Sequence, residues 1–140
     1  MQVLNIENKV FNTVATALRN AYSGIFVSGE YVDVPSSFPA VTLMETANTV
    51  LESHRTATAI ENGVRVTYEA NVYSNKTSGK KAEAKAVLTS LDAQMLALGF
   101  TRTFSNTVPN FNDATIYRMV ARYEAVVLPE GENEYRIYTN

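Results

Sequence analysis

From residue 64 to residue 73 the chain alternates without a break. Val64, Val66, Tyr68, Ala70 and Val72 are apolar, and Arg65, Thr67, Glu69 and Asn71 stand between them. Successive side chains of a strand point to opposite faces, so this spacing predicts a half-buried strand with one dry face. Residues 116–128 repeat the rule, with Tyr117, Met119, Ala121, Tyr123, Ala125 and Val127 on one face. Between these strands, residues 81–98 carry Ala84, Leu88, Leu91, Met95 and Leu98 at alternating steps of four and three, with Val87 beside them. That is the stripe of an amphipathic helix, and Gly99 stands where a left-handed stop belongs.

The rest of the chain fills in around this frame. Residues 5–22 place Ile6, Val10, Val14, Ala17 and Ala21 on one helical face, widened by Phe11, Leu18 and Tyr22; Asn5 reads as the N-cap and Gly24 as the terminator. Ile25 to Val27, Ser28-Gly29 and Tyr31-Val32 read as a small hairpin, and Pro35 and Pro39 exclude regular structure between them. A short strand is expected over 40–46 and a long loop over 48–63, closed by the turn Glu61-Asn62-Gly63. Residues 100–104 are expected to form a short strand, and Pro129 to end the last long one. Residues 134–138 then resume alternation.

The pattern predicts an α+β fold, with two helices packed on one face of a mainly antiparallel sheet of four or five strands. One domain is expected over residues 1–140, with 129–140 an arm or an added strand that pairs with its own sheet or with another chain's edge. The second sheet face is left with Ile116, Arg118, Val120, Arg122, Glu124, Val126 and Leu128 beside Arg65, Thr67, Glu69, Asn71 and Tyr73. Such a mixture fits a wet sheet face or an interface.

Composition removes most chemistry from consideration. The formal charge is -2, which lacks the basic footprint that phosphate neutralisation needs, so specific nucleic-acid binding is not expected. There is no cysteine and one histidine, His54, with no ligand at helical spacing. Nucleophile–base pairs and metal centres are therefore not expected, and no cofactor or enzymatic activity is implied. Ser78-Gly79-Lys80-Lys81 lacks the first glycine of a phosphate loop. No apolar run reaches the roughly 18 residues of a membrane span, and residues 1–9 lack the features of a signal peptide, so folding in a cytoplasm is expected. One feature runs against local rules: Lys80 and Lys81 stand at the positive end of the second helix. An acidic run, Glu130, Glu132 and Glu134, offers them a partner on a neighbouring copy.

Two segments resemble a known family. Residues 35–45, Pro-Ser-Ser-Phe-Pro-Ala-Val-Thr-Leu-Met-Glu, resemble the serine- and proline-flanked first strand of the small tail-completion proteins of long-tailed bacteriophages. Residues 113–127, Asp-Ala-Thr-Ile-Tyr-Arg-Met-Val-Ala-Arg-Tyr-Glu-Ala-Val-Val, resemble their last long strand. The order of elements fits along nearly the whole chain. The resemblance implies a tail terminator, a non-catalytic protein that forms a ring, usually of six copies, on the end of the tail tube. Its implied partners are itself, the tube protein and the head–tail connector, and its implied location is the head-proximal end of the virion tail. On this reading Arg65, Glu69, Arg118, Arg122 and Glu124 are sheet-face contacts, and the 48–63 loop touches the tube or a neighbour. The alternatives are a head–tail adaptor or minor capsid component, or a small bacterial binding module served by Lys76, Lys80, Lys81 and Lys85.

Overall fold

In the computed structural model, which describes residues 5–51, 63–110, 113–131 and 134–138, the element order is α1 (Glu7–Ala21), β1 (Phe26–Ser28), β2 (Ala40–Val50), β3 (Val64–Ser74), α2 (Lys80–Leu98), β4 (Thr101–Thr107), β5 (Tyr117–Gly131) and β6 (Glu134–Tyr138). The two alternating stretches are β3 and β5, and they pair with each other. They run antiparallel in unbroken register from Val64 opposite Val127 to Ser74 opposite Tyr117. The sheet order is β1-β2-β3-β5-β4, and β6 also pairs with β5. Since β3 occupies one edge of β5, β4 and β6 share the other, β4 along residues 119–124 and β6 along 126–131.

This register puts the apolar members of both strands on one face. Val66, Tyr68, Ala70, Val72, Ala121, Tyr123 and Ala125 are buried there. The helices close over them, α1 with Val10, Val14, Ala15 and Leu18, and α2 with Ala84, Val87, Leu88, Leu91 and Met95. Tyr68 meets Phe100 edge-on, with ring centroids 5.3 Å apart. The helices are also joined by Tyr22, the residue that caps the end of α1, whose hydroxyl donates to the Ala86 carbonyl at 3.1 Å and lies 2.9 Å from Ser90 Oγ. The fold is thus the expected α+β arrangement, two helices on a mainly antiparallel sheet, with six strands instead of four or five.

The second helix stops where its glycine lies. Gly99 has φ of +105°, and the Gly99 and Phe100 amides donate back to Leu96 and Met95. A β-carbon on Gly99 would stand 2.9 Å from the Ile137 carbonyl oxygen of β6. Only glycine gives both the left-handed conformation and the close approach of the last strand.

Several boundaries differ from the sequence pattern, each for a local reason. The expected hairpin at 25–32 is absent. Instead β1 runs parallel to β2, from Phe26 opposite Ala40 to Ser28 opposite Thr42. The Ser28 hydroxyl accepts the Glu30 amide at 3.1 Å, so Ser28-Gly29 turns the chain out of the sheet and not back along it. β2 continues past residue 46 to Val50, crossing a bulge between Glu45 and Ala47 that breaks the alternation. β5 passes through Pro129, because there it has outrun β3 and a bulge interrupts its pairing with β6. In α1, Ile6 is the cap residue; Asn5 still accepts the Glu7 amide at 2.9 Å. The helix ends at Ala21, which is exposed, so the apolar stripe is narrower than the sequence implied.

Leu91 is fully buried at the centre of the helix–sheet contact. Leu91→Ala is expected to cost about 2–5 kcal/mol in unfolding free energy, measured by urea titration. A cost near zero would remove α2 from the core.

Candidate interface on the helix-free sheet face

The alternation that buries one set of side chains turns the other set away from the helices. On β3 and β5 these are Arg65, Glu69, Asn71, Tyr73, Arg118, Arg122 and Glu124, and they interlock. Arg65 Nη1 donates to Glu124 Oε1 at 2.6 Å. Glu69 and Arg122 are directly opposite, and Arg122 Nε donates to Glu69 Oε1 at 3.2 Å. Asn71 Nδ2 reaches Glu69 Oε2 at 3.3 Å, while its Oδ1 accepts Arg118 Nε at 2.9 Å. The Arg118 guanidinium lies 6.0 Å from the centre of the Tyr73 ring, and that of Arg122 lies 5.0 Å from the centre of Phe104 on β4. One connected run therefore crosses the face from Tyr73 to Phe104.

These pairs contribute little to folding. The Arg65 and Arg122 side chains are 41% and 52% exposed, so each ion pair is screened by water and contributes about 0–1 kcal/mol. What the run does is hold Arg118 and Arg122 in fixed positions, and the separate Glu124 pair does the same for Arg65. Ordering that is complete before binding does not have to be repeated on binding.

One end of the same face is apolar. Ala40, Tyr73 and Ile116 are buried together, with Phe26 and Phe38 packed against them. Burial pushes the Tyr73 phenol up from its ordinary value, and the nearby Arg118 charge partly offsets this. Next to this cluster Tyr31 and Val34 stand exposed, and the Tyr31 hydroxyl donates to Asp33 Oδ1 at 2.5 Å. That hydrogen bond is the main reason the Tyr31 phenol is raised.

Of the residues singled out from sequence, the structure gathers Arg65, Glu69, Arg118, Arg122 and Glu124 on this one face. Lys80 and Lys81 are elsewhere, at the start of α2. Lys80 Nζ donates to the Thr115 carbonyl at 3.1 Å, which ties the helix start to the turn before β5, and Lys81 is exposed. Glu130 and Glu134 lie in the β5–β6 ribbon, with Glu134 opposite Gly131. Glu132 lies outside the described residues, as does most of the 48–63 loop with His54. Sequence reasoning missed Phe104 and Tyr31. The sequence pattern ends a short strand at Phe104, and only the bulge between Arg102 and Phe104 puts it opposite Arg122.

On the helix side two ionisable groups are held by the core. The Tyr123 hydroxyl donates to Asp92 Oδ1 at 2.8 Å, and Arg102 Nη1 donates to the same oxygen at 3.0 Å, joining α2, β5 and β4. Burial, then that bond to Asp92, raises the Tyr123 phenol far above its ordinary value. Glu45 on β2 accepts the Tyr68 hydroxyl at 3.2 Å. Burial raises its carboxyl, and the Tyr68 bond only partly opposes this. Among the described residues no group of three or more His, Cys, Asp and Glu is placed to hold a metal ion, and no helix is long and apolar enough to cross a membrane.

No protein-family model matches the chain, and no curated protein matches it.

Glu45 gives a pH signature. Its folded carboxyl holds a proton more tightly than the unfolded one, so ionisation destabilises the fold. The stabilising contribution is complete below the unfolded value of about 4.3 and is lost as pH rises through the folded one. Glu45→Gln cannot ionise, so its advantage in melting temperature over the native chain should be largest near neutrality and shrink as pH falls to about 4. A gap that stays constant across that range would show that Glu45 ionisation carries none of it.

Proposed function

We propose that the chain is a tail terminator of long-tailed bacteriophages. On this reading copies close a ring on the head-proximal end of the tail tube, halt tube growth and present a surface to the head connector. No reaction is catalysed. The observation that carries the reading is the helix-free sheet face, with its run of preordered arginines and acids flanked by Tyr73 and Phe104. Aromatic groups and arginine are the residues enriched at protein interfaces, and a face of fixed charge confers register and partner choice. The order of elements, with a helix, a proline-bearing entry, two long strands around a second helix and a final short strand, is compatible with the family layout.

Native mass across protein concentration and salt tests the ring. A closed oligomer, above all a hexamer, supports the reading. A stable monomer shifts the weight to a head–tail adaptor and makes capping of purified tail tubes the deciding assay. Arg118→Ala with Arg122→Ala is expected to leave the fold intact by circular dichroism, because both guanidinia lie on the open face, and to abolish tube capping. Normal, infectious tails from the double variant would rule out this role for the face.

A further inference from the structure

Among the described strands the sheet ends in two edges, β4 on one side and the β1–β2 side on the other. β4 has β5 on one side and no described strand on the other, and its residues from Arg102 to Thr107 are all exposed. At the opposite edge, β1 covers only Ala40, Val41 and Thr42 of β2. Gly29 leaves the sheet beside the Leu43 carbonyl, and residues 44–50 of β2 then have β3 on one side and no described strand on the other. That open stretch is as long as β4, which has seven residues. An open row of backbone donors and acceptors is a template for another strand, and proteins that avoid pairing blunt it with lysine, proline, an inward-pointing charge or a bulge. Neither stretch contains lysine or proline, and the one charge on each, Glu45 and Arg102, is of opposite sign. Each carries a bulge, and in each the extra threonine is tied back to its own sheet: Thr46 Oγ1 donates to the Thr67 carbonyl at 3.2 Å, and Thr103 Oγ1 to the Arg122 carbonyl at 3.4 Å.

Direction and charge both match one edge to the other. Each of the pairs β2–β3, β3–β5 and β5–β4 is antiparallel, so β2 and β4 run in opposite senses. Two copies in the same orientation therefore bring β4 against β2 antiparallel, with their helices on the same side. On that side β2 offers Glu45, opposite Tyr68, and β4 offers Arg102, opposite Tyr123. The open part of β2 has no basic residue, and β4 has no acidic one. Glu7 adds to the negative field at Glu45, and Lys85 shares a groove with Arg102 and its partner Asp92.

We infer that copies of this chain join edge to edge, β4 of one adding antiparallel to residues 44–50 of β2 in the next. The contact uses a different surface on each copy, so it repeats from copy to copy and closes as a ring where the rotation allows. It rests on self-association, as the proposed function does, but not on a tail.

The absence of cysteine makes the test clean. Met44→Cys with Asn106→Cys in one chain, the register that sets Glu45 diagonal to Arg102, treated with a short bis-maleimide, should give a ladder at multiples of 15.4 kDa. Each single variant should stay at one unit, and the two singles mixed should stop at two. Thr49→Cys with Thr101→Cys, opposite in the same register, is the second pair, used if the first fails to fold by circular dichroism. No ladder from a folded pair, or linking by one single variant alone, would overturn the inference, the latter by showing like edges meeting. A ladder from protein that does not cap tail tubes keeps the edge contact and removes the tail reading. Capped tubes that yield no ladder do the reverse.

Discussion

The register between β3 and β5 is the constraint on which the structure depends. Eleven consecutive pairs, from Val64–Val127 to Ser74–Tyr117, bring Tyr68 opposite Tyr123 and Ala70 opposite Ala121. A slip of β3 by one residue would turn Arg65 and Glu69 under the helices and expose its valines and Tyr68, while β5 kept its own face. The register is therefore enforced by the hydrophobic effect, and the charged face is a consequence of it. The small residues matter as much as the large. Ala70, Ala121 and Ala125 leave room for α2 to lie on the strands, and Leu91 and Met95 fill that space.

β5 then serves as a spine for everything on its far side. At fifteen residues it is longer than any other strand, and it holds β4 and β6 end to end along one edge. This arrangement needs the chain to leave α2 sharply, turn through Phe100 and start β4 while Ile137 passes close by. Gly99 meets that need with its positive φ and missing side chain. The hydrogen bonds that Asp92 accepts from Tyr123 and Arg102 hold the same corner from the helix side. The helix, its stop and the two outer strands are thus mechanically coupled.

The elements with strict periodicity were legible in the sequence: β3, β5, α2 and the helix-free face follow from alternation alone. What was not legible came from residues that act across the chain. The partner of β1 is β2 because Ser28 caps a turn that leaves the sheet, and a Ser-Gly pair looks the same in a hairpin. β2 reads as broken after Thr46 because a bulge shifts its phase: Asn48 and Val50 take the inward register, opposite Val66 and Val64. Proline at 129 is a breaker inside a sheet and harmless where β5 has outrun β3. In the candidate site, the charged members were visible as the polar half of two strands. Their pairing was not, because Arg65 meets Glu124 on the diagonal, and Phe104 reaches Arg122 only through a bulge.

The charge on the open face argues for docking over general solvation. A face that only needed to stay wet would be served by mobile lysines, yet the residues here are arginines, each fixed by a carboxylate, an amide or a ring. Arginine loses less freedom per hydrogen bond and stacks on aromatic rings, which suits a surface that must be recognised. With a net charge of -2 the whole molecule gives little long-range attraction of its own. On the proposed reading, selection of a partner comes from the local pattern, which acts within about a Debye length of 10 Å at 0.1 M salt. A partner with the complementary pattern would be held in one register and released by salt, and one with the same pattern would be repelled.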